Sequence, residues 1–382
     1  MLNFADIIDR AQRYKNIIQW IFAILVFSIV ITCYFNDTLL RMELLSIDYR
    51  FRLRPAATGS PDVVFIDMGE DSIDAIGSWP WPRKWHAAIV SILSKYNPKA
   101  IAFDVIFSEP QDEENDGAFE EALKKPDKVY MPVLYNLRSS AQIKTTADYE
   151  AISVLEPIPR FKKWIAATGH INVIPDPDGI LRRTPFYMRF KDESSYQLAF
   201  KVGCDMLGVK EKDITFEPDR NIAYINVPDA DTIKVPLDRD NNLIINWAGR
   251  WGKAFKHYSF LDVIRSYAMQ QKGEKPIIDL NELRDKVCII GLTASGLIDI
   301  RPTPLENAYP GVGTNATIIN SILNNNFISV TPKLLDIAII LIVSFLITLL
   351  LFRLAPLRGM YVAILGIIAL SLIHISEPTR PY

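Results

Sequence analysis

Two long apolar stretches, one near each end of the chain, constrain its architecture more than any other feature. Residues 17–35 read IIQWIFAILVFSIVITCYF, and residues 334–352 read LLDIAIILIVSFLITLLLF, with Asp336 as the only charge. Each stretch has 19 residues. A helix rises ~1.5 Å per residue, so either stretch is long enough to cross a hydrocarbon core of ~30 Å. The pattern predicts two transmembrane helices with a single large domain, residues 36–333, between them.

The basic residues indicate on which side of the membrane this domain lies. Short cytoplasmic segments are enriched in Lys and Arg. Such residues flank both stretches on the sides away from the domain: Arg10, Arg13, Lys15, Arg353 and Arg358. Residues 1–16 and the loop 353–359 are therefore predicted to be cytoplasmic. The domain is then periplasmic or extracellular, in a multi-pass protein of the inner (plasma) membrane. Early arginines of the domain oppose this assignment, but they alternate with acidic residues in a long translocated segment, where the rule is weak.

Both ends of the chain leave an alternative open. The stretch 17–35 exceeds the ~7–15 apolar residues of a signal peptide, and no small-x-small cleavage site follows it, which favours a retained anchor. A third apolar stretch, 360–375, is short for a span, and residues 376–382 resemble a translated sequencing adaptor. We therefore expect an incomplete third span, an artefactual tail and a native chain that continues. The alternative is a natural polar C-terminus.

Composition excludes several classes of function. The net charge is −2, so no broad attraction to nucleic acid is expected. No Cys or His residues have metal-ligand spacing, so neither a metal nor a cofactor is predicted. Cys204 and Cys288 permit one disulfide in the domain. Since Cys288 lies within the apolar run KVCIIG, two separate thiols are favoured.

Within the domain, buried-strand patterns alternate with amphipathic-helix patterns. Residues 63–68 (VVFIDM) and 100–107 (AIAFDVIF) are apolar runs typical of buried strands, and residues 82–96 between them have helical spacing with a proline in the first turn. A strand, a helix and a second strand predict a parallel pair. Pro132 within a further strand, 129–134, indicates an edge position.

The remaining patterns extend this alternation. Helices are predicted at 116–123, 196–207, 260–269 and 314–323, and strands at 184–190, 243–247 and 287–292. The fold class predicted is α/β: a single extracytoplasmic domain with a mixed, partly parallel sheet and flanking helices, between transmembrane helices.

Several distinctive segments occur in a fixed order along the domain. They are LSIDYRFRLR (45–54), GSWPWPR (77–83), AFDVIFSE (102–109), GHINVIPDPDGILRRTP (169–185), KVCIIGLTASGLIDIRPTP (286–304) and residues 310–323. Over about residues 40–330 the chain resembles the CHASE2 family of extracytoplasmic bacterial sensor domains. The resemblance implies one span before the domain and three after it, followed by a cytoplasmic nucleotide cyclase, kinase or diguanylate cyclase. In place of the family's acidic residue and histidine after Val312, this chain has Gly313 and Asn315.

Two loops are candidate ligand sites. Trp79, Trp81 and Arg83 combine aromatic faces with a guanidinium on a proline-stiffened turn. The structural alternative is an anchor for the following helix, and it is favoured. After the strand 287–292, the loop GLTASG matches half of a phosphate-binding loop but lacks its Lys-Ser/Thr. Its glycine turn still suits an anion, with help from side chains at Thr293, Ser295, Asp299 and Arg301.

Two acidic features complete the set of candidates. Asp104 lies within the apolar run AFDVIF, so it is either paired in a structural salt bridge with an arginine, which is favoured, or part of a ligand site, because ligands usually bind at the carboxyl ends of parallel strands. Asp176 and Asp178 form a DxDG turn without the downstream glutamate of a calcium loop, which favours a plain turn.

No catalytic motif is present: the sequence has neither GxSxG nor HExxH, so no enzymatic activity is predicted for this chain. We therefore interpret it as the sensory half of a membrane receptor. The resemblance implies an unidentified small-molecule or protein signal, contact with the lipid bilayer and a homodimer. The alternative functions are a membrane-tethered envelope binding or assembly protein without an output module, and an outward-facing membrane enzyme.

Overall fold

The computed structural model describes residues 4–36, 38, 40–55, 59–126, 128–137, 151–191, 193–296, 299–331 and 333–353. The predicted cytoplasmic loop after Arg353, the third apolar stretch and the tail lie outside these residues. The chain divides into two compact units. Among the described residues, the helical unit comprises residues up to Leu53 and those from Ser329 onwards, and the α/β unit contains Arg54–Ile328.

Helices and strands alternate through much of the described chain. The helices are α1 (Phe4–Phe35), α2 (Leu40–Leu53), α3 (Glu70–Ile76), α4 (Arg83–Leu93), α5 (Glu113–Leu123), α6 (Pro159–Lys162), α7 (Leu198–Met206), α8 (Phe260–Gln271), α9 (Val312–Leu323) and α10 (Lys333–Arg353). The strands are β1 (Val63–Met68), β2 (Ala100–Phe103), β3 (Val129–Leu137), β4 (Ala151–Leu155), β5 (Ala167–His170), β6 (Arg183–Pro185), β7 (Tyr187–Phe190), β8 (Glu193–Tyr196), β9 (Ile214–Glu217), β10 (Ile222–Ile225), β11 (Ile233–Pro236), β12 (Asn242–Ile244), β13 (Lys256–Ser259), β14 (Val287–Leu292), β15 (Ile300–Arg301) and β16 (Tyr309–Pro310).

In the helical unit, α1 and α10 contain the two apolar stretches and pack side by side. The hydroxyl of Tyr34 donates to Oδ2 of Asp336 over 3.0 Å, and the ring of Trp20 stacks on Phe345 at 6.2 Å. These pairings require the two helices to run antiparallel. Apart from these contacts, apolar side chains remain exposed on both helices: Ile17, Ile21, Ile24, Leu25, Leu334, Leu341 and Ile342.

The length and hydropathy of a helix together decide whether it could cross a membrane. Among the described residues, no single helix combines the required length with the required hydropathy. One pair, Ile24–Phe35 with Leu40–Leu53, does so jointly across a 75° bend, and Leu334–Leu346 is a shorter apolar helix.

In the α/β unit, the main sheet has the strand order β13-β1-β14-β2-β3-β4, and β5 also pairs with β3. β4 runs antiparallel to β3, and the other pairs in this sheet are parallel. Smaller sheets are formed by β9–β11, by β6 with β12, by β7 with β8 and by β15 with β16. The prediction of an α/β fold with a mixed, partly parallel sheet is confirmed.

Helices cover both faces of the main sheet because its strands are apolar on both sides. Side chains of β1 alternate: Val64 and Ile66 pack with α4, α5 and α8, whereas Val63 and Phe65 pack with α7 and α9. Side-chain caps begin two of the helices on the first face. A carboxylate oxygen of Asp112 accepts from the amide of Asn115 at the start of α5, and Oγ of Ser259 accepts from the amide of Asp262 at the start of α8.

Two of the expectations about the sheet are corrected. β1 and β2 are parallel, as predicted, but β14 lies between them. β3 is not an edge strand, although it contains Pro132. The backbone carbonyls of Val129 and Val133 accept hydrogen bonds on the side of β5. Because backbone polar groups alternate sides along a strand, those of residue 132 point to the side of β2. Pairing with β2 on that side ends at Tyr130, so the missing N–H of Pro132 breaks no hydrogen bond of that ladder.

His86 of α4 is 1% exposed and lies among the rings of Trp79, Trp81, Phe103, Phe107, Phe119 and Phe260. Burial, assisted by the charge of Arg83, lowers the pKa of His86 from 6.5 to about 3. The folded unit therefore keeps this imidazole neutral at pH values where the unfolded chain protonates it. Between these two pKa values, stability falls as the pH falls.

His86→Phe is expected to reduce this acid sensitivity while preserving an aromatic side chain in the cluster. Removing one such histidine lowers the slope of the unfolding free energy by up to about 1.4 kcal/mol per pH unit. Urea unfolding of the chain in detergent between about pH 4 and pH 6 measures this slope. An unchanged slope in the variant would contradict the assignment of a neutral, buried His86.

Candidate ligand site

The candidate site lies at the carboxyl ends of β1, β14 and β2. The chain leaves β1 and β2 towards the face covered by α4 and α5, but it leaves β14 towards α9 on the opposite face. Loops that diverge in this way open a crevice at the strand ends, which is where open α/β sheets usually bind ligands. We use the word crevice for this strand-end region, which is formed by Asp67, Gly291 and Asp104 and against which the first turn of α9 packs.

Register places these three residues in one row on the α9 face of the sheet. Asp67 pairs with Gly291 across β1 and β14, and Gly291 follows the pair formed by Ile290 and Phe103, which brings it beside Asp104. A Cβ atom at Gly291 would lie 2.7 Å from Cγ2 of Val312 and 3.3 Å from Cβ of Asp104. Glycine at this position therefore permits the first turn of α9 to approach the sheet between the two carboxylates.

Asp104 is held by a chain of amide groups. Nδ2 of Asn315 donates to Oδ1 of Asp104 over 3.1 Å, and Nε2 of Gln197 donates to Oδ1 of Asn315 over 2.9 Å. Burial raises the pKa of Asp104 from 3.8 to about 6, opposed by the Asn315 hydrogen bond and assisted by the charge of Asp299. Asn315 was not among the predicted site residues.

Asp67 forms a second polar pair with a histidine that sequence reasoning did not select. Its Oδ2 lies 2.8 Å from Nδ1 of His257 on β13. The imidazole stacks on Phe65 at 4.7 Å and meets the edge of Trp251 at 4.5 Å. The other oxygen, Oδ1 of Asp67, is buried without a hydrogen-bond partner in the part of the chain that the structure describes. A lone histidine and a strand-end aspartate carry no distinguishing spacing, and only the sheet register brings them together.

The loop after β14 brings the other predicted residues to the two sides of this row. On the β1 side, the amide of Thr293 donates to the carbonyl of Met68 over 3.1 Å, and the amide of Ser295 donates to Oε1 of Glu70 over 2.6 Å. On the α9 side, the carbonyl of Asp299 accepts from the amide of Gly311 over 2.7 Å. Nε of Arg301 donates to the side-chain carboxylate of Asp299, so the positive charge of the guanidinium partly offsets the negative charge of that carboxylate.

The tryptophan turn lies on the opposite face, within the cluster around α4. Trp81 is 1% exposed, and its Nε1 donates to the carbonyl of Gly77 over 2.8 Å. Nη1 of Arg83 donates to Oδ1 of Asp116, Nη2 donates to the carbonyl of Glu109, and the guanidinium lies over the ring of Phe161. These contacts match the anchor alternative. Trp79 is partly exposed beside Trp81. A ligand role for this turn stays a prediction.

The carboxylates of the DxDG turn form ion pairs with arginines. Asp176 and Asp178 both pair with Arg182, at 2.9 and 2.8 Å, and Asp176 also pairs with Arg183 at 2.9 Å. Among the described residues, no group of three or more His, Cys, Asp or Glu side chains is arranged to hold a metal ion.

The architecture defines a class: an α/β domain with polar residues at the carboxyl ends of its parallel strands. A family model, the CHASE2 domain, matches residues 22–350. The chain therefore belongs to the CHASE2 family of extracytoplasmic sensor domains, which are sensory rather than catalytic. No curated protein and no solved structure matched the chain.

Asp104→Asn is expected to stabilise the α/β unit at about pH 7.5 and to have little effect near pH 4. The folded carboxyl binds a proton more readily than the unfolded one, so its stabilising contribution is lost as the pH rises through about 6. The amide substitute removes the partly buried charge and still offers an oxygen to Asn315. We expect a gain of about 1–3 kcal/mol at the higher pH.

Urea unfolding of the two proteins at both pH values measures this difference. Asp116→Asn is the matched control, because that buried carboxylate faces Arg83 and its neutralisation is expected to destabilise the unit. Lower stability of Asp104→Asn at both pH values would contradict the expectation.

Proposed function

We propose that this chain is the sensory input half of a membrane-bound receptor. It detects an extracytoplasmic signal in the crevice and passes it through transmembrane helices to a cytoplasmic output module. One observation carries the proposal. α9 closes the crevice with its first turn, ends at Leu323, and is the last regular element before α10 begins at Lys333. A signal that shifts α9 therefore acts on the helix that leads directly out of the α/β unit.

The chemistry of the crevice indicates the kind of ligand it accepts. Its polar groups are mainly acceptors: Oδ1 of Asp67, which has no hydrogen-bond partner among the described residues, and the carboxylates of Asp104 and Asp299. Burial raises the pKa of Asp104, which supports a site at which a negative charge lacks full compensation. A small ligand that donates hydrogen bonds or carries a positive charge would supply that compensation.

Membrane attachment is proposed at residues 17–35 and 334–352, within α1 and α10. The apolar side chains exposed along both helices support this, since such surfaces are rare on soluble monomers. With residues 1–16 and 353–359 in the cytoplasm, the domain 36–333 is periplasmic or extracellular, as the family's extracytoplasmic character requires. We further propose a homodimer and a nucleotide cyclase, kinase or similar output module.

The direct test uses the steric contact at Gly291. Gly291→Ala places a Cβ 2.7 Å from Val312, so the first turn of α9 has to move. In a chimera that continues from Arg353 through the remaining spans into a nucleotide cyclase, this variant is expected to change basal cyclase activity roughly twofold or more. The readout is cyclic nucleotide production in membranes.

Gly117→Ala is the control, since its Cβ would lie 3.5 Å from Nη2 of Arg160 at the surface of α5, an ordinary contact. Equal cyclase activity in both variants and the parent would contradict signalling through α9. It would favour the alternative of a tethered binding protein.

A further inference from the structure

The side chain of Asn246 contacts both chain segments that connect the α/β unit to the rest of the protein. Arg54 is the first residue after α2, and its Nη1 donates to Oδ1 of Asn246 over 2.5 Å. Asn326 follows α9 on the way to α10, and its carbonyl accepts from Nδ2 of Asn246 over 3.1 Å. One amide group thus holds the incoming and the outgoing segment at the same point.

Asn246 is itself firmly placed. Asn246 is 5% exposed and lies just after β12. Both of its neighbours in the chain form hydrogen bonds to the residues that precede β6. The amide of Ile245 donates to the carbonyl of Arg182 over 2.9 Å, and Nε1 of Trp247 donates to the carbonyl of Leu181 over 3.2 Å. A buried amide between two hydrogen-bonded neighbours is a fixed point to which other chain segments can be attached.

Arg54 is attached to this point twice. Besides Asn246, its guanidinium donates through Nη2 to the backbone carbonyl of Trp247. A two-pronged contact of this kind fixes the orientation of the guanidinium as well as its position. Burial lowers the pKa of Arg54 to about 10, so the side chain is held in place against a cost in hydration.

The same point is connected to the crevice through aromatic rings. The ring of Trp247 packs edge to face on Tyr309 at 4.8 Å, and both side chains are 1% exposed. Tyr309 in turn touches the first turn of α9: a Cβ at Gly313 would lie 2.2 Å from Cε1 of Tyr309. Packed rings without voids transmit displacement, because interiors are nearly incompressible.

We propose that Asn246 is a clamp that joins the two chain segments leaving the sensor, and that Trp247 and Tyr309 link this clamp to α9. The signalling role of the clamp rests on the proposed function, whereas its mechanical role does not. A displacement of α9 reaches the outgoing segment directly along the helix and reaches the incoming segment through Tyr309, Trp247 and Arg54. The clamp thereby converts one movement at the crevice into a change at both connections.

The test is hydrogen–deuterium exchange of the full chain in lipid nanodiscs, followed in peptides covering residues 54–62 and 324–331. Asn246→Ala removes both contacts, so exchange in both peptides is expected to become about fivefold to tenfold faster. Asn246→Asp keeps an oxygen for Arg54 but lacks the N–H that binds the carbonyl of Asn326. It is therefore expected to accelerate only the 324–331 peptide.

Asn242→Ala is the matched control. Asn242 is also 5% exposed and on the same segment, but its side-chain amide donates to Asp238 in the neighbouring turn. Neither peptide is expected to accelerate in this variant. The clamp would be refuted if Asn246→Ala left both peptides unchanged, if Asn246→Asp accelerated both equally, or if Asn242→Ala had the same effect. Should Asn246→Ala fail to fold, the Asn246→Asp pattern alone decides.

Exchange requires neither a ligand nor an output module, so this result is independent of the cyclase chimera. If the exchange experiment refutes the clamp, the proposal of signalling through α9 is unaffected. If the cyclase chimera shows no response, the clamp keeps its mechanical role but has no role in signalling.

Discussion

The close approach of α9 to Gly291 is the contact on which the proposed sensing mechanism depends. Because position 291 has no side chain, Val312 reaches the sheet between two carboxylates, Asp67 and Asp104. That approach closes the crevice and aligns Asn315 with Asp104. It also places Gly313 against Tyr309, from which packed rings lead to Asn246. The polar residues at the strand ends, the packing of α9 and the connections of the domain are therefore parts of one arrangement around a single helix.

The carboxyl groups in the crevice lack full compensation of their negative charge, which is consistent with the proposed role as a sensor. A raised pKa at Asp104 and an unpartnered oxygen on Asp67, among the described residues, are costs to the folded state that packing elsewhere offsets. By contrast, the buried carboxylate of Asp116, which lies away from the crevice, is paired with the guanidinium of Arg83. Residues that a fold keeps at a cost in stability usually serve binding or switching.

Local patterns predicted the elements well and their arrangement less well. β1 and β14 have the predicted bounds, because an apolar β-branched run is a sufficient signal for a buried strand. The insertion of β14 between β1 and β2 was not foreseeable, since a strand more than 180 residues away supplies it. Asp104 was predicted within the strand run 100–107; β2 ends at Phe103, so Asp104 lies just past the strand. Asn315 and His257 were not predicted. Their significance comes only from partners brought together by the sheet.

The coupling of the crevice to the exit from the domain through α9 is tested most directly by the response of residues 324–331 to the steric change at Gly291. Hydrogen–deuterium exchange of the full chain in nanodiscs, with and without Gly291→Ala, follows α9 and residues 324–331 in one experiment. If α9 couples the crevice to the exit from the domain, exchange accelerates both in its first turn and in 324–331, while β1 and β14 stay protected. Acceleration confined to the first turn of α9 would show that the helix absorbs the change locally, and would contradict the account.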